Sequence, residues 1–117
     1  KYSRDYLNSN SIQRKVLIRI KPEVMPENAA LYLNGNHKNL GLWISKGIPL
    51  DLQDNGTWEK EFHFYDSTKI DFKVTRGSWD TQAVDSSGAE LSPFSVVVSR
   101  DTILTLKIDN WKDSFMR

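Results

Sequence analysis

The feature that most constrains this chain is a period-two alternation of apolar and polar residues. It recurs in short runs and is cut again and again by turn residues. From Arg14 onward, Val16, Ile18 and Ile20 point one way while Leu17, Arg19 and Lys21 point the other, because successive side chains of an extended strand face opposite sides. Trp58, Lys60, Phe62 and Phe64 alternate in the same way with Glu59, Glu61 and His63. Ile70, Phe72 and Val74 alternate with Asp71, Lys73 and Thr75, and Leu104, Leu106 and Ile108 with Thr105, Lys107 and Asp109. Shorter runs at Leu31 to Leu33, Ile48 to Leu52, Thr81 to Val84 and Phe94 to Val98 also read as strands. No stretch sustains the 3.6-residue period of a helix.

The breaks are as regular as the runs. Pro22 and Pro26 end the first strand, and Asn34-Gly35-Asn36, Ser86-Ser87-Gly88 and Arg100-Asp101 are turn signals. Asp54-Asn55-Gly56 predicts a hairpin, because Asn and Gly accept the positive φ angles that tight hairpins require. Asn55-Gly56-Thr57 also fits the glycosylation pattern, and reads equally as a hairpin tip followed by Thr. About seven or eight short strands with turns roughly every 8–12 residues is the pattern of an antiparallel sandwich or barrel. An all-β fold is therefore expected.

At 117 residues the chain suits one domain. A domain of this size buries roughly 65–70% of its unfolded surface, enough for a core without disulfides or metal. Lys1 to Ile12 is polar and predicts a lead-in or linker, residues 13–113 the folded domain, and residues 114–117 a tail. The chain starts Lys1-Tyr2-Ser3, as a processed protein or an excised domain would. With 16 basic and 15 acidic residues, its charge is balanced, which argues against a nucleic acid or an anionic membrane as partner. No apolar run is long enough to span a bilayer as a helix.

Signs of catalysis are lacking in the sequence. There is no cysteine, hence no thiol nucleophile or thiolate metal site. The two histidines, His37 and His63, are far apart and neither has a ligand-type partner at metal spacing, so no metal and no cofactor is expected. No nucleophile elbow, phosphate-cradling loop or zinc-protease motif occurs. The acidic residues are scattered, and nothing selects a glycosidase pair from them. What remains is aromatic content: four Trp, four Tyr and five Phe. Flat rings suit sugars, because the C–H face of a pyranose stacks on a π surface while polar groups orient its hydroxyls. The core competes for the same residues, since burying a Trp removes ~150–250 Å² from water. Trp58 continues a strand alternation and Trp111 ends one, so both are expected to pack. Trp43 follows a Gly in a loop flanked by polar residues and Trp79 lies in a polar loop; no periodicity demands burial at either, and each can serve a ligand or packing.

At these residues the chain resembles the starch-binding domains, the family-20 carbohydrate-binding modules. Leu33-Asn34-Gly35-Asn36 followed by Leu40-Gly41-Leu42-Trp43 is similar to their glycine–asparagine and leucine–glycine–tryptophan signature. Ile48-Pro49-Leu50, Gly56-Thr57-Trp58-Glu59, Asp71 to Arg76 and Asp109-Asn110-Trp111 follow in the family's order. The resemblance covers Arg14 to Asp113. It implies an immunoglobulin-like, antiparallel two-sheet sandwich that binds polysaccharide or oligosaccharide without catalysis, usually inside a larger enzyme. It also implies that Trp43 stacks on glucose rings and that Lys73 contacts their hydroxyls. Trp79 joins them as a third carbohydrate-binding candidate. The family's second stacking Trp and its Asn have no counterpart at Ala83-Val84-Asp85 or Ser92-Pro93-Phe94, so half of the usual sugar site is expected. The stretch from Thr75 to Asp80, with Val84-Asp85, looks like the subgroup found ahead of esterase-like α/β-hydrolase domains in bacterial proteins. An extracytoplasmic location fits the family. The competing reading is a structural domain that packs Trp43 and Trp79 against a catalytic domain of the same parent chain.

Overall fold

In the computed structural model, residues 12–44 and 46–116 are described; most of the expected lead-in, residues 1–11, lies outside them. The alternating runs become strands. In chain order these are β1 (Gln13–Pro22), β2 (Tyr32–Gly35), β3 (Ile48–Pro49), β4 (Asp51–Leu52), β5 (Trp58–Tyr65), β6 (Lys69–Thr75), β7 (Ala83–Val84), β8 (Phe94–Val97), β9 (Thr102–Ile108) and β10 (Asn110–Trp111). One sheet has the order β4-β5-β1-β9 and the other β3-β2-β6-β8, and β10 pairs with β7 in a two-stranded piece. The two larger sheets bury their inner faces against each other, giving the expected all-β sandwich.

The interior is built from the residues that the alternation singled out. Val16, Ile18 and Ile20 of β1 are fully buried, as are Ile70 and Phe72 of β6, with Phe62, Phe64 and Val74 nearly so. Removing such a side chain from water is worth roughly 1.5–3 kcal/mol. β1 pairs with β5 in register, Val16 opposite Phe62 and Ile20 opposite Trp58. Both Trp58 and Trp111 are buried, as their strand positions predict. Trp111 also donates its indole N–H to the Val24 carbonyl at 2.7 Å, which satisfies the one polar atom of the ring.

Three local features differ from the sequence reading. The run from Ile48 to Leu52 is two strands: β3 pairs with β2 in one sheet and β4 with β5 in the other. The chain crosses between sheets at Leu50, which is buried and donates its N–H to the Leu31 carbonyl at 2.9 Å. Pro49, which has no N–H, is tolerated because β3 is an edge strand. Second, the pairing is not antiparallel throughout: β9 runs parallel to β1, with Ile18 opposite Leu104. It reaches that place by crossing from β8 in the opposite sheet, so no hairpin ties it to β1 and it can lie parallel to it. Splitting and short pairings bring the strands to ten among the described residues rather than seven or eight. Third, ordered structure runs past the expected domain end at Asp113, because Lys112–Phe115 forms a 3-10 turn. At the Asn55-Gly56-Thr57 tip, the Asn55 side chain closes the turn by accepting from the Thr57 N–H at 3.1 Å and hydroxyl at 2.7 Å.

Truncating Trp111 empties a fully buried site and strands the Val24 carbonyl. Trp111→Ala is expected to cost ~3–5 kcal/mol in urea unfolding, whereas Trp79→Ala, at a surface loop, is expected to cost under ~1 kcal/mol.

Candidate functional site

Trp43 is presented by a strained turn. Gly41, Leu42 and Trp43 have φ angles of 89°, 54° and 61°. Two of the three are not glycine, and each such left-handed residue costs roughly 1–2 kcal/mol. The turn is held from several directions. Trp43 N–H donates to the Gly35 carbonyl at 3.0 Å, and Leu42 N–H to the His37 carbonyl at 3.3 Å. The side-chain amide of buried Asn34 donates to the Ile44 carbonyl at 3.4 Å, and fully buried Leu40 anchors the preceding 3-10 turn (Lys38–Leu40). The adjoining Asn36 is bound to β6 by two side-chain hydrogen bonds, to Asp71 N–H and to the Lys69 carbonyl. Gly35 allows this close approach: a Cβ there would lie 2.3 Å from the Asp71 carbonyl oxygen. The asparagine–glycine motif thus acts structurally, locking the base of the Trp43 loop.

His37 caps that 3-10 turn, its ring Nδ1 accepting from Asn39 N–H at 3.0 Å. Only a neutral imidazole can accept there. Burial, reinforced by the neighbouring Lys38 charge, lowers the His37 pKa below its ordinary value of 6.5. The structure also brings His37 and His63, remote in sequence, to the rim of one 260 Å³ hollow with Asn39 and Tyr65.

Trp79 comes from a second built loop. The Thr75 hydroxyl accepts from Gly77 N–H at 3.0 Å, and the Thr81 hydroxyl accepts from Arg76 N–H at 3.1 Å and Ser78 N–H at 3.2 Å. The short 3-10 turn Trp79–Thr81 that follows places the indole 39% exposed. Its ring centroid lies 6.2 Å from that of Trp43, with the planes 37° apart. Trp43 is itself half-buried.

Lys73 lies on β6 opposite Asn34 of β2. Its ammonium donates to Gln82 Oε1 at 3.1 Å, while the Gln82 amide donates to the Trp79 carbonyl at 3.2 Å. Trp43, Lys73, Trp79, Gln82 and Pro93 line one shallow surface hollow of about 400 Å³. The three residues singled out in the sequence therefore meet on one face. The geometry departs from a site with a single ring: Trp79 stands beside Trp43 although the stretch at Ala83-Val84-Asp85 holds no Trp. Gln82 and Pro93 escaped the sequence reading. Gln82 is buried, a property no local pattern signals for a polar residue between Thr81 and Ala83. Among the described residues no group of three or more His, Asp or Glu side chains could hold a metal ion.

An all-β sandwich with two indoles, a lysine and an amide on one open face has the form of a binding module. The starch binding domain family matches residues 13–95, and the chain belongs to that family of non-catalytic carbohydrate-binding modules. An alpha-amylase of Niallia circulans is 27% identical over 93 residues, a stretch covering 79% of this chain and 7% of the amylase. Solved structures at lower identity share the fold. The family 20 module of the maltotetraose-forming amylase from Pseudomonas saccharophila STB07 has a TM-score of 0.59 at 16% identity, over 80% of this chain and 99% of that one. The family 15 glucoamylase from Hypocrea jecorina has a TM-score of 0.63 at 16% identity, over 86% of this chain and 17% of the glucoamylase. The chain thus spans a small part of the whole enzymes it matches and is similar in extent to the isolated module.

The His37 cap has a pH consequence. A lowered folded-state pKa means that the unfolded chain binds the proton more readily. The cap's contribution is therefore full above the ordinary value of 6.5 and is lost as pH falls through the lowered folded value. The melting temperature of the wild type is expected to fall between about pH 7 and about pH 5 by more than that of His37→Gln, as followed by thermal denaturation in matched buffers.

Proposed function

We propose that this domain binds α-glucan chains on the Trp43–Trp79 face, with Lys73 and Gln82 contacting hydroxyls. The observation that carries the reading is the ring pair, 6.2 Å apart and tilted by 37°. Coplanar platforms suit a flat, extended polysaccharide, whereas tilted ones suit a chain whose successive sugar rings turn, as α-linked glucose does. Each ring offers stacking of the order of ~1–3 kcal/mol, by analogy with bases on aromatic side chains. The hollow is shallow, which fits a segment within a long polymer.

Family membership supports the carbohydrate class. It also disfavours the alternative of a scaffold that buries both rings in a neighbouring domain. The alpha-amylase and glucoamylase relatives support an accessory place in a larger hydrolase. For the finer reading, an esterase-like catalytic domain downstream, the support is the stretch from Thr75 to Asp80 with Val84-Asp85. An extracytoplasmic location is part of the proposal, and its support is the family and the alpha-amylase relative. Residues 13–113 are proposed as the binding domain, with the preceding residues as a linker.

Titration with maltoheptaose, read by tryptophan fluorescence, is expected to saturate in the millimolar range or below. Trp43→Ala and Trp79→Ala are each expected to weaken binding roughly tenfold or more, with urea unfolding midpoints close to wild type. A flat titration at millimolar sugar, or full binding by Trp43→Ala, refutes the assignment.

A further inference from the structure

The Trp79 loop is braced by chain that follows the last strand. Arg76, three residues before Trp79, has a side chain only 11% exposed, and its guanidinium pairs with the Asp113 carboxylate. The same guanidinium lies over the ring of fully buried Trp111, 5.4 Å from its centroid. Arg76 is thus gripped between an indole that cannot move and a carboxylate on the turn Lys112–Phe115. Its backbone N–H meanwhile donates to the Thr81 hydroxyl, which closes the loop around Trp79.

A second chain of contacts runs from the same turn to Lys73. Lys112 N–H donates to the Gln82 carbonyl at 2.9 Å, and Lys112 Nζ to Glu90 at 3.2 Å. The Gln82 amide donates to the same Glu90 oxygen at 3.3 Å, and Gln82 Oε1 receives Lys73. The turn is itself seated: the Phe115 ring covers Gly88, where a Cβ would lie 2.8 Å from ring atoms. Residues 112–115 lie beyond the stretch that matches the family, residues 13–95.

We propose that Asp113 is a positioning residue of the binding face: acting through Arg76, it holds the Trp79 ring at its set distance and tilt from Trp43. Asp113 touches no ligand in this scheme. Its carboxylate fixes the guanidinium, the guanidinium fixes the loop, and the loop fixes the indole. The consequence for affinity rests on the glucan-binding reading above, whereas the consequence for ring geometry does not.

Two adjacent indoles give an exciton couplet in far-ultraviolet circular dichroism, so the ring pair can be read without sugar. Trp43→Phe and Trp79→Phe assign the couplet. In the full chain, Asp113→Asn is expected to diminish it and to weaken maltoheptaose binding roughly fivefold, with a melting temperature near wild type because Asp113 is 39% exposed. Asp113→Glu is expected to restore both. An undiminished couplet in Asp113→Asn overturns the inference, as does unchanged affinity in that variant when Trp79→Ala lowers it. A couplet lost in Asp113→Asn together with full sugar binding by Trp43→Ala upholds the positioning role and removes the glucan-binding reading instead.

Discussion

Each large sheet of this domain has one apolar face, and neither face can be hidden except against the other. That mutual burial is what the remaining structure depends on. β1 sits at its centre, paired with β5 on one side and β9 on the other, with Val16, Ile18 and Ile20 directed into the interior. The core closes around Trp111, whose indole is both buried and hydrogen-bonded. With no cysteine in the sequence no disulfide braces the frame, and its rigidity rests on this packing together with the strand pairing.

A rigid frame is what allows a strained loop. Leu42 and Trp43 hold left-handed backbone angles that an isolated peptide would abandon. Here the cost is offset by hydrogen bonds to Gly35, His37 and Asn34, all anchored to the sheet containing β2 and β6 or to the short 3-10 turn beside it. Trp79 is held differently, by hydroxyl caps and by Arg76 behind it, whose side chain is mostly covered. The face therefore draws its two rings from separate loops with separate supports. Lys73, coming directly from β6, is the one polar member set by a strand. Such a face has the form proposed above for stacking and orienting a sugar chain.

Much of the fold was legible because burial has a two-residue period in a strand, and the long strands β1, β5, β6 and β9 display it plainly. Trp43 and Trp79 were legible as candidates for a simpler reason: they sit in loops outside the strand alternation, where no periodicity demands a buried ring. The parallel alignment of β9 was not legible, since alternation looks the same in either direction. Nor was the division of Ile48 to Leu52, where the side-chain pattern persists while the hydrogen-bond partners change sheets. The absence of a Trp near Ala83 suggested one platform, because a sequence comparison matches positions and not places in space. The buried Gln82 and the Arg76–Asp113 brace belong to the same class, polar residues whose role depends on what lies across from them.

The sequence by itself determined that this chain is a β-sandwich, which side chains fill it, and that Trp43, Lys73 and Trp79 are its candidate ligand contacts. Those properties are local, written in periodicity and in the company each residue keeps. Only the tertiary structure decided that Trp79 stands beside Trp43, that Lys73 is held by Gln82, and that the C-terminal turn supports the face. The reason is physical: distances between residues remote in the chain are set by which strands pair and where the loops return, and an alternating pattern encodes neither.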